Sequence, residues 1–493
     1  MKDLKERTIR GGVARLCAQI TNFLFRLGSL MVLARLLGPG DFGLVGMVTA
    51  FTGVLNLFRD FGLSTAAVQR ATVTEEQVST LFWINVVVGA MLTVLTAAVA
   101  PFVAAFYHEP RLTWVTAVIA TGFLFNALGV QHSALLQREM RFTALAVINS
   151  GSLVLSTVVA VAMAKMGYGY WALVAMSVVF PLAMTIALWF TAAWLPGLPR
   201  RRAGVRSMMH FGGTITLNCV IVYIAYNMEK VLLGRFWGAD AIGIYGRAYQ
   251  LVNIPTDNLN SAVGEVAFSA LSRVQDDPPR LRSYFLKGYS LVLALSLPIT
   301  FLCALFANDA IVVLLGPKWH DAAPILRWLA PTILAFAMIN PFGWLLFSMG
   351  RVMRSLKIAL VIAPLVIAGY VIGLPYGPKG VALGYSVAMV LWIFPNIVWC
   401  VQGTSITVRD VVETLSRPLI SGVVASLLPL AMQIGYGNVL SPLPRLIIGV
   451  ALFVITYLLM LLFVMGQKEF YLNLLKTLRK RSSPVEEGAL ASA

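Results

Sequence analysis

Arg15, Gln19, Asn22, Arg26 and Ser29 sit in the first apolar stretch of the chain. At 100° per residue they fall at about 0°, +40°, −20°, +20° and −40°, one polar stripe down one face of a helix. Thr216, Tyr223, Asn227 and Lys230 draw a second stripe, Thr49, Asn56 and Asp60 a third, and Tyr249, Asn253, Thr256 and Asn260 a fourth beside the break expected at Pro255. Cations on such faces suit an anionic solute, because a phosphate gains charge-assisted hydrogen bonds from guanidinium and ammonium groups. The candidate binding cations are therefore Arg15, Arg26, Arg59, Lys230 and Arg247. Asn22, Asn56, Asn227, Asn253 and Asn260 offer exchangeable hydrogen bonds to hydroxyls, and Asp60, Glu229 and Glu265 are candidate ion-coupling or gating carboxylates.

These groups lie where lipid would not allow them. Each charged one costs roughly 2.5–3.5 kcal/mol at the centre of a membrane helix, so they must meet water, a partner charge or a headgroup. Plainer roles compete residue by residue: Arg35 and Arg327 suit snorkelling to an interface, while Arg59 beside Asp60 and Glu229 beside Lys230 suit local ion pairs. Four one-sided stripes on four helices favour a shared cleft instead.

The bilayer setting follows from composition. The chain has 493 residues, 59% hydrophobic and 12% charged, with mean hydropathy +0.81. Fourteen apolar runs are each about long enough to cross a hydrocarbon core of roughly 30 Å. Their limits are near 11–37, 42–63, 79–106, 112–133, 143–165, 169–195, 208–234, 241–269, 284–308, 323–349, 355–375, 380–402, 418–436 and 443–466. The longest connections, near 268–285 and 403–417, have room for only a turn or a brief interfacial helix. The net charge of +17 is distributed for membrane orientation rather than nucleic-acid binding. With the amino terminus cytoplasmic, the opposite side receives only Arg111, Lys165, Arg235, Lys318, Lys379 and Arg445, which places both termini inside.

The chain also repeats itself. Arg35, Gly38, Gly43 and Gly46 recur as Arg235, Gly238, Gly243 and Gly246, at an offset of 200. Arg138-Glu-Met-Arg141 recurs as Arg351-Val-Met-Arg354, and Gly167 with Ala172-Leu173 as Gly377 with Ala382-Leu383. The expected architecture is all-α and polytopic, with parallel six-helix lobes at 1–200 and 201–405. A helix pair at 406–466 and a basic amphipathic tail at 467–493 follow. Duplicated membrane halves mark a transporter candidate.

Val32-Leu-Ala-Arg35-Leu-Leu-Gly38 with Phe42-Gly43-Leu, Asp60-Phe-Gly62-Leu-Ser64 with Gln69-Arg70, and Leu136-Gln-Arg-Glu-Met-Arg-Phe142 together resemble the Wzx polysaccharide flippases. The nearest subgroup is the colanic-acid (WzxC) type of the multidrug/oligosaccharidyl-lipid/polysaccharide superfamily. Gly243-Ile-Tyr-Gly-Arg247-Ala-Tyr249, Val274-Gln-Asp-Asp277 and Gly316-Pro-Lys-Trp319 continue the match. The resemblance implies an inner-membrane protein that moves an undecaprenyl-diphosphate-linked oligosaccharide outward by rocking two lobes. It implies coupling to a proton or sodium gradient without a cofactor, and a glycan polymerase and chain-length regulator as partners. Glu229-Lys230 stands where many relatives carry Asp with Lys or Arg. The polyprenyl tail would stay in lipid, guided by the last two helices.

Three rival readings remain open at this point. A multidrug exporter fits an acidic cleft and twelve helices, and a lipid II flippase shares the fourteen helices and cationic cleft. A membrane glycan polymerase or glycosyltransferase needs an acid, base or metal site, yet His108, His132, His210 and His320 are scattered. The carboxylate pair Asp276-Asp277 reads as a turn before Pro278-Pro279. Cys17, Cys219, Cys303 and Cys400 read as small apolar residues.

Overall fold

Local signals start and stop the helices where the apolar runs place them. Thr74 and Gln77 form a capping box, each side chain accepting a hydrogen bond from the other's backbone N–H (3.2 and 3.3 Å), and a 33-residue helix follows. Asp277 accepts from the Arg280 N–H (3.1 Å) ahead of Pro278-Pro279, which places this carboxylate in a helix cap. The computed structural model describes residues 24–58, 74–199, 206–436 and 440–469, all helices, turns and connections without a strand. Arg15, Asn22, Arg59, Asp60, the tail beyond 469 and the side chain of Glu265 lie outside the described residues.

The first six helices are α1 (24–36), α2 (Pro39–Phe58), α3 (Glu75–Tyr107), α4 (Leu112–Arg138), α5 (Phe142–Lys165) and α6 (Trp171–Ala192). The run Arg206–Arg273 turns at Gly238 (φ 81°), giving α7 before it and α8 after it. Next come α9 (Pro278–Leu305), a short α10 (Ala307–Leu314), a single 3-10 turn (Pro317–Trp319), α11 (Ala322–Ser348), α12 (Val352–Gly373), α13 (Gly377–Val401), α14 (Val408–Tyr436) and α15 (Pro442–Leu459). Ten helical stretches among the described residues are long and apolar enough to cross a membrane, one of them, Met353–Val401, covering both α12 and α13. The run carrying α7 and α8, with Glu229, Lys230, Arg235, Asp240 and Arg247, is not among the ten. The segment 403–417, with room for a turn or a brief interfacial helix, instead holds the first turns of a long one: the Thr407 N–H donates to Asp410 (2.9 Å) and α14 starts at Val408, well before Pro418.

The repeated motifs do the same work in both halves. Gly167 and Gly377, at φ 85° and 70°, make the left-handed turns ahead of α6 and α13. Arg141 donates to the Thr191 carbonyl in the last turn of α6 (3.2 Å), and Arg354 donates to the Gln402 carbonyl at the end of α13 (2.6 Å). A cation there satisfies helix-end carbonyls and opposes the negative end of the dipole. Within the halves α3 packs on α4 and α5 on α6, while α11 packs on α13 and α12 on α13. Between them, α2 packs along the α7–α8 run.

Candidate functional site

A cavity of about 770 Å³ lies between α1, α2, α7 and α8. Its walls run from Ile242 to Asp257 on α8, roughly 22 Å of helix at 1.5 Å per residue. Arg26 enters it from α1, Thr49 from α2, Tyr223, Asn227 and Lys230 from α7, and Arg247, Asn253 and Asp257 from α8. The Lys230 ammonium donates to the Asn227 side-chain oxygen (2.6 Å), and the Asn227 amide donates to the Tyr223 carbonyl (2.9 Å), which fixes the cation toward one wall. The Arg247 guanidinium lies 4.4 Å from the centre of the Phe42 ring, and its Nε has no hydrogen-bond partner among the described residues. Arg26 and Asp257 are exposed at the far end. Three cations lining one space suit a multiply charged anion, and the amides and phenols between them suit hydroxyls.

Arg26, Arg247 and Gln250 also border a second cavity, of about 480 Å³, among α1, α2, α5 and α6, with Ser29, Asn149, Ser156 and Ser177 in its wall. The two spaces thus share a cationic partition.

The end of the cavity near Ile242 is sealed by the repeated motif meeting its own copy. A Cβ on Gly43 would stand 1.7 Å from the Ala239 carbonyl oxygen, and a Cβ on Gly243 would stand 1.9 Å from that of Pro39. Only glycine lets the two backbones approach so closely. Arg35 donates across to the Val313 carbonyl at α10 (2.9 Å), and Arg235 donates to the His108 ring at the end of α3 (2.7 Å). Each repeated arginine therefore reaches the connection between the third and fourth long helices of the opposite half. Fully buried Trp319 completes the closure, donating its indole N–H to the Ala34 carbonyl (2.8 Å) and packing edge-on to Phe42.

Of the residues singled out in the sequence, the structure brings Arg26, Asn227, Lys230, Arg247 and Asn253 to one cavity. Asn56 is exposed on α2 and, like Glu229 and Asn260, is not among the described lining residues. Glu229 forms no ion pair with Lys230: its side chain points a helical quarter-turn away, 1% exposed, and neither carboxylate oxygen has a hydrogen-bond partner among the described residues. The hydroxyls of Tyr107, Tyr245 and Tyr370, in its neighbourhood, are likewise buried without partners. Arg327 donates to the Ala304 carbonyl (3.2 Å). Asp257 and Gln250 were missed, although Asp257 stands one helical turn beyond Asn253 on the same face. No group of three or more His, Cys, Asp or Glu among the described residues is arranged to hold a metal.

Residues 32–324 match the family of polysaccharide biosynthesis proteins. The chain is 27% identical over 406 residues to the lipopolysaccharide biosynthesis protein WzxC of Escherichia coli (strain K12), covering 79% of this chain and 80% of that one. It is 32% identical over 295 residues to the teichuronic acid biosynthesis protein TuaB of Bacillus subtilis (strain 168), covering 59% and 61%. Among solved structures, the lipid II flippase MurJ in its inward closed conformation shares the fold, with a TM-score of 0.73 over 94% of this chain and 100% of that one at 12% identity. A multi-pass helical membrane protein whose family match spans more than half of its length, this chain belongs to the polysaccharide biosynthesis protein family.

Proposed function

We propose that the protein is a flippase that carries a polyprenyl-diphosphate-linked oligosaccharide across the bacterial inner membrane by alternating access, for exopolysaccharide, capsule or O-antigen biosynthesis. The observation that carries this reading is the cavity between the two halves, with Arg26, Lys230 and Arg247 converging on it and its end near Ile242 sealed by reciprocal contacts. The diphosphate sits among the three cations, and the sugars hydrogen-bond to Asn227, Asn253 and Gln250. Positive charge concentrated on one set of turns puts both termini in the cytoplasm, so the seal faces the periplasm and the cavity is loaded from inside. The relatives work in polysaccharide biosynthesis and the protein of like fold is a flippase, which supports transport rather than catalysis. Proton or sodium coupling falls to Glu229, a buried carboxyl beside the cavity wall. A glycan polymerase and a chain-length regulator are the partners that would receive the product.

The test is flipping of lipid-linked oligosaccharide by purified protein in liposomes under imposed proton or sodium gradients, with lipid II as the competing substrate. Arg26→Ala and Lys230→Ala are each expected to slow flipping about tenfold, the effect of losing one charged hydrogen bond. Normal flipping by the double variant, or transport of lipid II alone, overturns the assignment.

A further inference from the structure

A third opening, of about 460 Å³, lies on the side of the molecule, between α2, α3 and α7, and its surface is almost wholly hydrocarbon. Leu95, Val99 and Ile224 are exposed at its mouth, whereas Ala50 and Val103 are buried at its back. Tyr223 and Asn227 belong to both this pocket and the polar cavity. The Tyr223 hydroxyl donates to the Thr49 carbonyl on α2 (3.1 Å), and its phenol lies over Gly53, where a Cβ would stand 1.7 Å from the oxygen. Gly53 is therefore the position that lets this ring cross from α7 to α2, as a partition between an apolar room and a polar one.

A lipid-linked oligosaccharide has two ends with opposite preferences. Its diphosphate and sugars gain from the cations of the cavity, but its hydrocarbon chain loses by entering a polar space and must leave sideways toward lipid. We propose that the pocket between α2, α3 and α7 seats the first isoprene units of the chain. Tyr223 is the door beside the junction of chain and diphosphate. This inference rests on the flippase reading above. Continuity with the cavity through two shared side chains, a lipid-facing mouth and branched aliphatic walls all match a methyl-branched chain rather than a soluble ligand. The occupant commits to α2, α3 and α7, not to the α14–α15 pair.

The experiment uses the full chain in lipid nanodiscs with a polyprenyl diphosphate carrying a photoactivatable diazirine on its first isoprene units. Cross-links are expected on α2, α3 and α7. Leu95→Trp, a rim substitution facing lipid, should cut this labelling at least fivefold and slow flipping of lipid-linked oligosaccharide. Binding of a chainless sugar diphosphate should stay within about twofold of the parent. Tyr223→Phe, which removes only the hydroxyl that holds the door to Thr49, should change the distribution of label between pocket and cavity. Labelling confined to α14–α15, or labelling and flipping indifferent to both substitutions, overturns the chain seat while leaving the flippase reading intact. Absence of both labelling and flipping by the parent protein overturns that reading and the seat with it.

Discussion

Lys230 and Arg247 show how two cations of like charge acquire different duties from their neighbours. Lys230 is tethered by Asn227, so Asn227→Ala leaves the ammonium in place but untethered. Headgroup binding is expected to weaken about fivefold, the worth of about 1 kcal/mol, by titration with a chainless sugar diphosphate. Arg247 presents a flat guanidinium to the Phe42 ring, a geometry that Lys does not reproduce. Arg247→Lys should therefore lose binding although the charge is kept, and equal affinity in the two proteins would refute the role of the planar contact. Glu229 sits one residue from Lys230 but behind the wall. Glu229→Gln keeps shape and removes the exchangeable charge, so flipping should persist while its response to an imposed proton or sodium gradient disappears. A response of normal size would remove Glu229 from the coupling.

At the scale of helices, the seal is the element that must open for alternating access. Gly40 faces Asp240, whose carboxylate oxygen would lie 3.0 Å from a Cβ on Gly40. The pair Gly40→Cys with Asp240→Cys should therefore cross-link in the closed state and stop flipping until reductant is added. Continued flipping by the oxidised pair would mean that α2 and α8 do not part. Much of this layer is legible in the sequence. The offset of 200 between the arginine–glycine motifs locates the seal residues, and the helical spacing of Tyr223, Asn227 and Lys230 places them on one face. Periodicity states which residues share a face, but not what stands opposite. For that reason the second cavity near Asn149 emerges only when α1 and α2 are seen against α5 and α6, and the apolar pocket by Tyr223 only when α2 is seen against α3 and α7. The short α10 and the turn bearing Trp319 also escape a reading based on long apolar runs.

Over the whole molecule, α14 and α15 pack on α9 and α10, with Phe453 and Tyr457 buried there and the Tyr457 hydroxyl donating to the Ala294 carbonyl (3.0 Å). Arg445 at the start of α15 donates from Nε to Asp309 on α10 (2.9 Å), in a pair whose carboxylate is nearly buried. Asp309→Ala removes the buried carboxylate from that pair and should destabilise the protein by about 1.5–3 kcal/mol, the worth of a charged hydrogen bond, read as a lower unfolding temperature in detergent. Headgroup affinity should not change in the same variant, because neither residue borders the cavity. An unchanged unfolding temperature would show the pair to be dispensable. The seal carries a different message. Gly43 meets residue 39 of the other repeat, and Gly243 meets residue 39 of the first, so the contact is self-complementary under a half-turn. A chain of half this length, pairing with an identical copy, makes the same joint twice over. The two repeats therefore meet alike at the joint and differ beyond it, the first lending Arg26 to the cavity and the second Lys230.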